Sequence, residues 1–320
     1  MKVYIVGAGA VGTYLGDRLR SIGNEITYAP RDLEAVEPVD ADLAIVAVKS
    51  YDTAAACETL RRALRDPSAT TIVTPQNGIG NEEILAAAFG ADAVVAAALT
   101  VPIERDATGA VSAAKGGGIA FAPVGTASPH NWLLAAFSAT GLPTTAAADY
   151  RSLKWSKLAL NIVANATCAI LDMLPERLVR DDQMFGLEIR GLREVRATMK
   201  ALGITPIDLP RYPVRALLAL ATLPSPAARL LLGSRIAGGR GAKPPSLLLD
   251  LRSAKHRTEV DALNGAVARA ARESGVAAPV NAALTRILND IAHLPQLWPK
   301  YRERPATLIE EAAGERVHMR

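Results

Sequence analysis

Near its start the chain reads KVYIVGAGAVG over residues 2–12. Val3, Ile5 and Val6 form a short apolar run that reads as a buried strand. Gly7, Gly9 and Gly12 follow with G-x-G-x-x-G spacing, and residues 11–21 form an amphipathic stretch that reads as a helix. Strand, glycine turn and helix in this order leave few folds open, and each glycine has a physical task. Gly7 permits the tight bend off the strand, Gly9 lets a pyrophosphate approach the backbone, and Gly12 lets the helix pack close to the strand. The helix N-terminus then aims unpaired N–H groups and a partial positive charge at the phosphates. Gly7, Ala8, Gly9, Ala10, Val11 and Gly12 are therefore the expected cradle of a dinucleotide. A glycine-rich turn with a purely structural purpose is the alternative.

The rest of the first half repeats the pattern. Residues 25–29 alternate like a strand, 41–49 read as a buried strand, and 70–74, 93–101 and 118–124 read as further strands, with a helix over 51–65. Strands alternating with helices predict a parallel doubly wound sheet, in which ligands bind beyond the carboxyl ends of the strands. The glycine turn, Lys49 and the Gln76-Asn77-Gly78 stretch all fall at such ends. Beyond residue 149 strand signals stop and helical periodicity takes over, with helices expected over 151–172 and 186–202. Residues 205–245 read as irregular, and a last helical block starts at Thr258, which with Asp261 resembles a helix cap. The predicted organisation is α/β: a Rossmann-type domain over 1–149, an all-helical substrate domain over 150–320, and a cleft between them.

With 320 residues, half of them hydrophobic, the chain has material for two domains with sizeable cores. Its net charge of +4 is spread along the chain, which suits an anionic small molecule better than nucleic acid. Cys57 and Cys168 have no paired spacing, so a reducing cytoplasm is expected. His130, His256, His293 and His318 are dispersed, so no metal is expected, and no apolar run reaches membrane-spanning length.

The residue after the second strand selects the nucleotide. An acidic side chain would grip a ribose 2′-hydroxyl, whereas arginine pairs with a 2′-phosphate. Arg31 favours NADPH; Asp32 as the ribose partner is the alternative. Further on, Lys157, Asn161 and Asn165 recur every four residues, which places them on one face of the expected helix. Polar groups among Leu158, Leu160, Ile162 and Val163 either face solvent or line a polar site. A lysine beside a nicotinamide could protonate a carbonyl oxygen as hydride arrives. Glu259 reads either as a second site residue or as a carboxylate placed for the helix dipole.

Taken together, GAGAVG at 7–12, AVKS at 47–50, QNG at 76–78, KLALNIVANAT from Lys157, PSLLLDL from Pro245 and RTEVDALNG from Arg257 resemble the ketopantoate reductase family over nearly the whole chain. The resemblance implies NADPH-dependent reduction of 2-dehydropantoate to pantoate, on the route to pantothenate and coenzyme A. It implies that Lys157 is the general acid and that Glu259 holds the lysine or the cofactor. Asn161 and Ser246 would bind substrate with Asn165 nearby, Lys49 and Asn77 would line the cofactor cleft, and Arg31 would meet the 2′-phosphate. It is compatible with a homodimer. Two stretches depart from the family pattern: residues 32–40 are short, and residues 205–243 are long. Reduction of another 2-keto acid or an opine-type imine is the second reading. A non-catalytic NADP(H)-binding sensor is the third.

Overall fold

The computed structural model describes residues 1–106, 108–114, 116–126, 131–239 and 243–314. The chain forms two compact units, Met1–Lys157 with Ile207–Tyr212, and Leu158–Pro206 with Pro213–Arg320.

The first unit carries strands β1 (Lys2–Val6), β2 (Glu25–Tyr28), β3 (Leu43–Val46), β4 (Thr71–Thr74), β5 (Val94–Leu99), β6 (Ile103–Arg105), β7 (Val111–Ala113), β8 (Ile119–Pro123) and β9 (Thr144–Ala146). Its helices are α1 (Ala10–Arg20), α2 (Thr53–Ala63), α3 (Asn81–Phe89), α4 (Asn131–Ala139) and the start of α5 (Tyr150–Ile162). Seven strands form one sheet in the order β2-β1-β3-β4-β5-β8-β9. The chain leaves β1 for one side and returns for β3 on the other, so the order reverses between β1 and β3. That reversal is the switch point at which open α/β sheets bind ligands.

Strand alternation divides the apolar residues between two cores. Val3, Ile5, Leu43 and Ile45 point to the face covered by Leu15 and Leu19 of α1 and Phe137 of α4. Tyr4, Val6, Ala44 and Val46 point to the face covered by Leu60 of α2 and Leu85 of α3. Phe121 and Phe137 are fully buried with ring centroids 4.9 Å apart, and burial of each ring stabilises the fold by about 1.5–3 kcal/mol.

The sheet departs from the expected all-parallel form at one junction. β8 pairs with β5 in the antiparallel sense, Ala97 opposite Phe121. The cause is the connection. A parallel return needs a crossover of a dozen or more residues, usually a helix, whereas this link carries the antiparallel pair β6 and β7. After α4 the parallel sense resumes in β9. Residues 207–212 are tied into the first unit by Ile207 N–H donating to Ser156 Oγ at 2.9 Å and Thr100 Oγ donating to the Pro210 carbonyl at 3.1 Å.

The second unit is helical: the end of α5, then α6 (Ala166–Leu171), α7 (Pro175–Arg180), α8 (Asp182–Ala201), α9 (Val214–Leu220), α10 (Ser225–Gly239), α11 (Ser246–Arg252), α12 (Asn264–Glu273), α13 (Pro279–His293) and α14 (Pro305–Gly314). Helix α8 is central, with α7, α10, α12, α13 and α14 packed against it. Its Glu194 caps α13 from outside, accepting from Val280 N–H and Asn281 N–H at 2.9 Å each and from Asn281 Nδ2 at 2.7 Å. Burial pushes the Glu194 carboxyl above its ordinary value, and the three donors oppose that rise.

Two expectations are corrected here. The single helix over 151–172 is two helices, α5 and α6, broken at residues 163–165. Ala164 has φ +49, and its N–H donates at 2.8 Å to Glu188 of α8, which also accepts from Thr167 Oγ. A left-handed alanine is strained, so the break depends on this buried carboxylate. The stretch 205–245, expected to be irregular, contains α9 and α10; residues 240–242 lie outside the described part. Cys57 and Cys168 are both buried, and neither is in a disulfide.

Gly12 is a position where the first unit has no room for a side chain. A Cβ there would lie 2.0 Å from the Gly7 carbonyl oxygen, which is backbone and cannot yield. Gly12→Ala is expected to destabilise the protein by about 2 kcal/mol or more in a urea unfolding curve. An unchanged midpoint would show that helix α1 shifts freely against β1.

Candidate functional site

Three loops leave the same edge of the parallel sheet, after β1, β3 and β4. The first is the glycine turn. Gly7 has φ +107, and a Cβ there would strike the Ala47 carbonyl group at 2.7–2.8 Å, so the turn after β1 lies directly on the turn after β3. Gly9 is the N-cap of α1 and lacks a side-chain cap. A Cβ on Gly9 would meet nothing within 4 Å. The first turn of α1 thus presents backbone N–H groups without intrahelical acceptors, next to open space, with Ala8 and Gly9 exposed. Such a helix N-terminus is chemically suited to an anion, and the residues present fit the pyrophosphate of a dinucleotide.

The second and third loops carry Lys49 and Asn77, both half-buried. Ser50 Oγ donates to the Asn77 carbonyl at 2.8 Å, and Gln76 Nε2 donates to the Val48 carbonyl at 3.1 Å. Below them lies a buried polar network. Gln76 Nε2 also donates to Thr53 Oγ at 2.8 Å, Thr53 Oγ donates to Asn81 Oδ1 at 2.8 Å, and Asn81 Nδ2 donates to the Asn77 carbonyl at 2.9 Å. Lys154 of α5 enters the same network and donates through Nζ to the Gln76 carbonyl. Its ammonium lies 2.8 Å from Glu82 Oε1 in the first turn of α3, and the two side chains are 2% and 1% exposed. At that distance the two groups form a buried, charge-assisted contact. Burial holds the Glu82 carboxyl above its ordinary value, with the Lys154 ammonium pulling it back. Tyr150, one turn earlier on α5, donates to Glu83 at 3.2 Å; burial and the Glu83 charge push its phenol up to about 12. Lys157 follows Lys154 by three residues on α5 and is half-buried.

At the end of β2, Arg31 and Asp32 are both exposed. Asp32 accepts from Glu34 N–H at 3.0 Å and caps a short 3-10 helix, Leu33–Ala35. One of its oxygens therefore has a local structural task. The short segment after Arg31 folds as this single turn and then bridges Val39 to Leu64.

In the second unit the structure brings Asn161, Asn165 and Ser246 into one neighbourhood, though not as one helix face. Asn165 sits past the break, at the N-cap of α6, and is 2% exposed. Its Nδ2 donates to the Asn161 carbonyl at 3.0 Å, and its Oδ1 accepts from Leu247 N–H at 3.2 Å. Asn165 thereby ties the last turn of α5 to the first turn of α11, where Ser246 lies. Asn161 and Ser246 are half-buried. Glu259 is 5% exposed and opens a short 3-10 helix capped by Thr258, whose hydroxyl accepts from Val260 N–H at 3.3 Å.

Sequence reasoning missed Lys154, Glu82 and Glu188. The signal for Lys154 was present: a lysine between Leu153 and Trp155 carries the same burial cost that drew attention to Lys157. Among the described residues no group of His, Cys, Asp and Glu could hold a metal ion, and no helix is long and apolar enough to cross a membrane. His130 and His318 lie outside the described residues.

Known proteins share both halves of this arrangement. The family described as "Ketopantoate reductase PanE/ApbA" matches residues 25–125, and its C-terminal counterpart, "Ketopantoate reductase PanE/ApbA C terminal", matches residues 149–292. The chain belongs to the ketopantoate reductase family. It is an oxidoreductase, and the family is one of pyridine-nucleotide-dependent reductases. The 2-dehydropantoate 2-reductase of Halobacterium salinarum is 28% identical over 327 residues, covering 92% of this chain and 99% of that protein. The enzyme of the same name from Archaeoglobus fulgidus is 26% identical over 317 residues, covering 91% and 97%. Among solved structures, a PanE/ApbA family ketopantoate reductase from Ralstonia eutropha superposes with a TM-score of 0.76 at 28% identity, covering 92% of this chain and all of that one. D-mandelate dehydrogenase in complex with NADH also reaches 0.76, at 20% identity over 91% of this chain and 99% of that one, and so shares the fold.

In this ketopantoate reductase family member, Gly9 is a position where nucleotide binding can be tested apart from folding. Gly9→Ala is expected to leave the melting temperature within a few degrees of wild type, because the methyl meets no protein atom. It should raise the Kd for a nicotinamide dinucleotide about tenfold or more by occupying the phosphate approach. An unchanged Kd in calorimetric titration would remove the glycine turn from the nucleotide site.

Proposed function

We propose that the protein catalyses NADPH-dependent reduction of 2-dehydropantoate to pantoate, in the pathway to pantothenate and coenzyme A. The observation that carries the reading is the placement of Lys157. It is half-buried on α5, one turn beyond the lysine pinned to the Gln76 carbonyl, in the same unit as the glycine turn. The relatives named 2-dehydropantoate 2-reductase support the choice of substrate, and they match nearly end to end.

When bound, NADPH supplies a hydride to the ketone carbon. The chain supplies the rest. The cradle of Gly7, Ala8, Gly9, Ala10, Val11 and Gly12 receives the pyrophosphate, and Arg31 pairs with the 2′-phosphate through its planar guanidinium. Lys49 and Asn77 line the nicotinamide side. The Lys157 ammonium stabilises the negative charge that develops on the ketone oxygen and donates the proton that completes the alcohol. Asn161 and Ser246 orient the substrate as hydrogen-bonding groups, and Glu259 holds the lysine or the cofactor in place. Asn165 acts through others, since its amide is engaged by Asn161 and Leu247. The buried thiols of Cys57 and Cys168 suit a reducing cytoplasm.

A second reading, reduction of a different 2-keto acid, is compatible with the fold, which D-mandelate dehydrogenase, solved with NADH, shares. The fold alone leaves the acid and the nucleotide open, and the substrate and nucleotide arms of one experiment address both.

That experiment follows NADPH oxidation by absorbance on adding ketopantoate, with NADH in a parallel arm and Lys157→Ala beside wild type. Wild type is expected to turn over ketopantoate faster with NADPH than with NADH. Lys157→Ala should lower kcat by roughly 10²–10⁴-fold with little change in NADPH Kd. Full activity in Lys157→Ala would remove the lysine from the mechanism, and turnover of other keto acids in preference would favour the second reading.

A further inference from the structure

We infer that the buried ion pair of Lys154 and Glu82 is a positioning device for the turn that carries Asn77, and through it for the nicotinamide end of the nucleotide. The inference rests on the assignment of Asn77 to the nucleotide made above.

The geometry fixes both peptide planes that flank the Asn77 α-carbon. Lys154 Nζ holds the Gln76 carbonyl, and that carbonyl shares one rigid trans peptide with the Asn77 N–H. Fixing one fixes the other in the opposite direction. On the far side, the Asn77 carbonyl accepts from Ser50 Oγ at 2.8 Å and Asn81 Nδ2 at 2.9 Å. With both planes set, the direction in which the Asn77 side chain leaves the backbone is set too. Ser50 adjoins Lys49, so the same bonds hold the second cofactor-side loop.

Stability alone does not account for the pair. Two charges at 2% and 1% exposure carry a large desolvation penalty, and a well-packed apolar pair of similar volume is often as stable or more so. What the ion pair provides that an apolar pair cannot is direction: a carboxylate in the first turn of α3 aims an ammonium at one carbonyl. Helix α5 is held at the same place by Tyr150 on Glu83, and Lys157 follows three residues after Lys154. One anchor therefore serves the turn carrying Asn77 and the helix carrying the proposed acid. Lys154 and Glu82 are positioning residues.

The test is a double-mutant cycle read by NADPH Kd from calorimetric titration. The doubly substituted Lys154→Met, Glu82→Met protein removes the device without leaving a lone buried charge. It should melt within a few degrees of wild type yet bind NADPH at least tenfold more weakly. Asn77→Ala should weaken binding by itself, and adding it to the double variant should change Kd by less than twofold, because both act on one turn. A purely structural bridge would restore Kd together with the melting temperature, and that result overturns the inference. Full additivity with Asn77→Ala, or a wild-type Kd in Asn77→Ala, overturns it as well. If the double variant does not fold, Lys154→Arg keeps the charge but misplaces the donor. It should show the same weakened, non-additive binding, and wild-type binding in it overturns the inference. A wild-type protein that binds no nucleotide contradicts the functional reading itself, before any variant is made.

Discussion

The near-contact of backbone with backbone at the switch point governs this structure. Gly7 lies against the Ala47 carbonyl group and Gly12 against the Gly7 oxygen, each closer than any Cβ would allow. That closeness brings α1 over β1 so that its first turn opens beside the loop after β3. It also places the turn carrying Asn77 within reach of Val48 and Ser50, through Gln76 Nε2 and the Asn77 carbonyl. Without side-chain-free positions at residues 7 and 12, the three loops would be pushed apart and no shared edge would exist.

Polar groups rather than apolar packing hold that edge together. Thr53, Gln76 and Asn81 are buried, and their hydrogen bonds run to loop backbone, to one another and to the Thr74 hydroxyl. Lys154 and Glu82 join α5 and α3 to the same network. Such networks are costly when incomplete and directional when made. The second unit follows the same logic: Glu188 holds a left-handed Ala164 and Asn165 ties α5 to α11, so buried polar groups set the irregular backbone around Asn161 and Ser246.

Much of this was legible in the sequence, and the reasons differ by element. The strand, turn and helix of residues 2–20 were readable because three glycines at fixed spacing leave little choice of geometry. The family was readable because its motifs are spread over nearly the whole chain. The break at residues 163–165 was not readable. No glycine or proline marks it, and the cause is Glu188, some two dozen residues away in sequence. The reversal of β8 had a local sign, since the link from β5 is a hairpin and not a helix, but the short strands β6 and β7 carry weak signals of their own. Asn165 shows how spacing misleads: steps of four give one face only while the helix continues. Lys154 was visible as a lysine in an apolar stretch, and its partner Glu82 was not, because their pairing is set by the fold.

Hydride transfer itself is the most direct measurement. The protein would be incubated with ketopantoate and NADPH deuterated at the transferring position of the nicotinamide, and the product weighed by mass spectrometry. Pantoate carrying one deuterium, formed in step with NADPH consumed, is the expected result. Tight NADPH binding with no deuterated hydroxy acid from ketopantoate would contradict the assignment of this chain as a ketopantoate reductase.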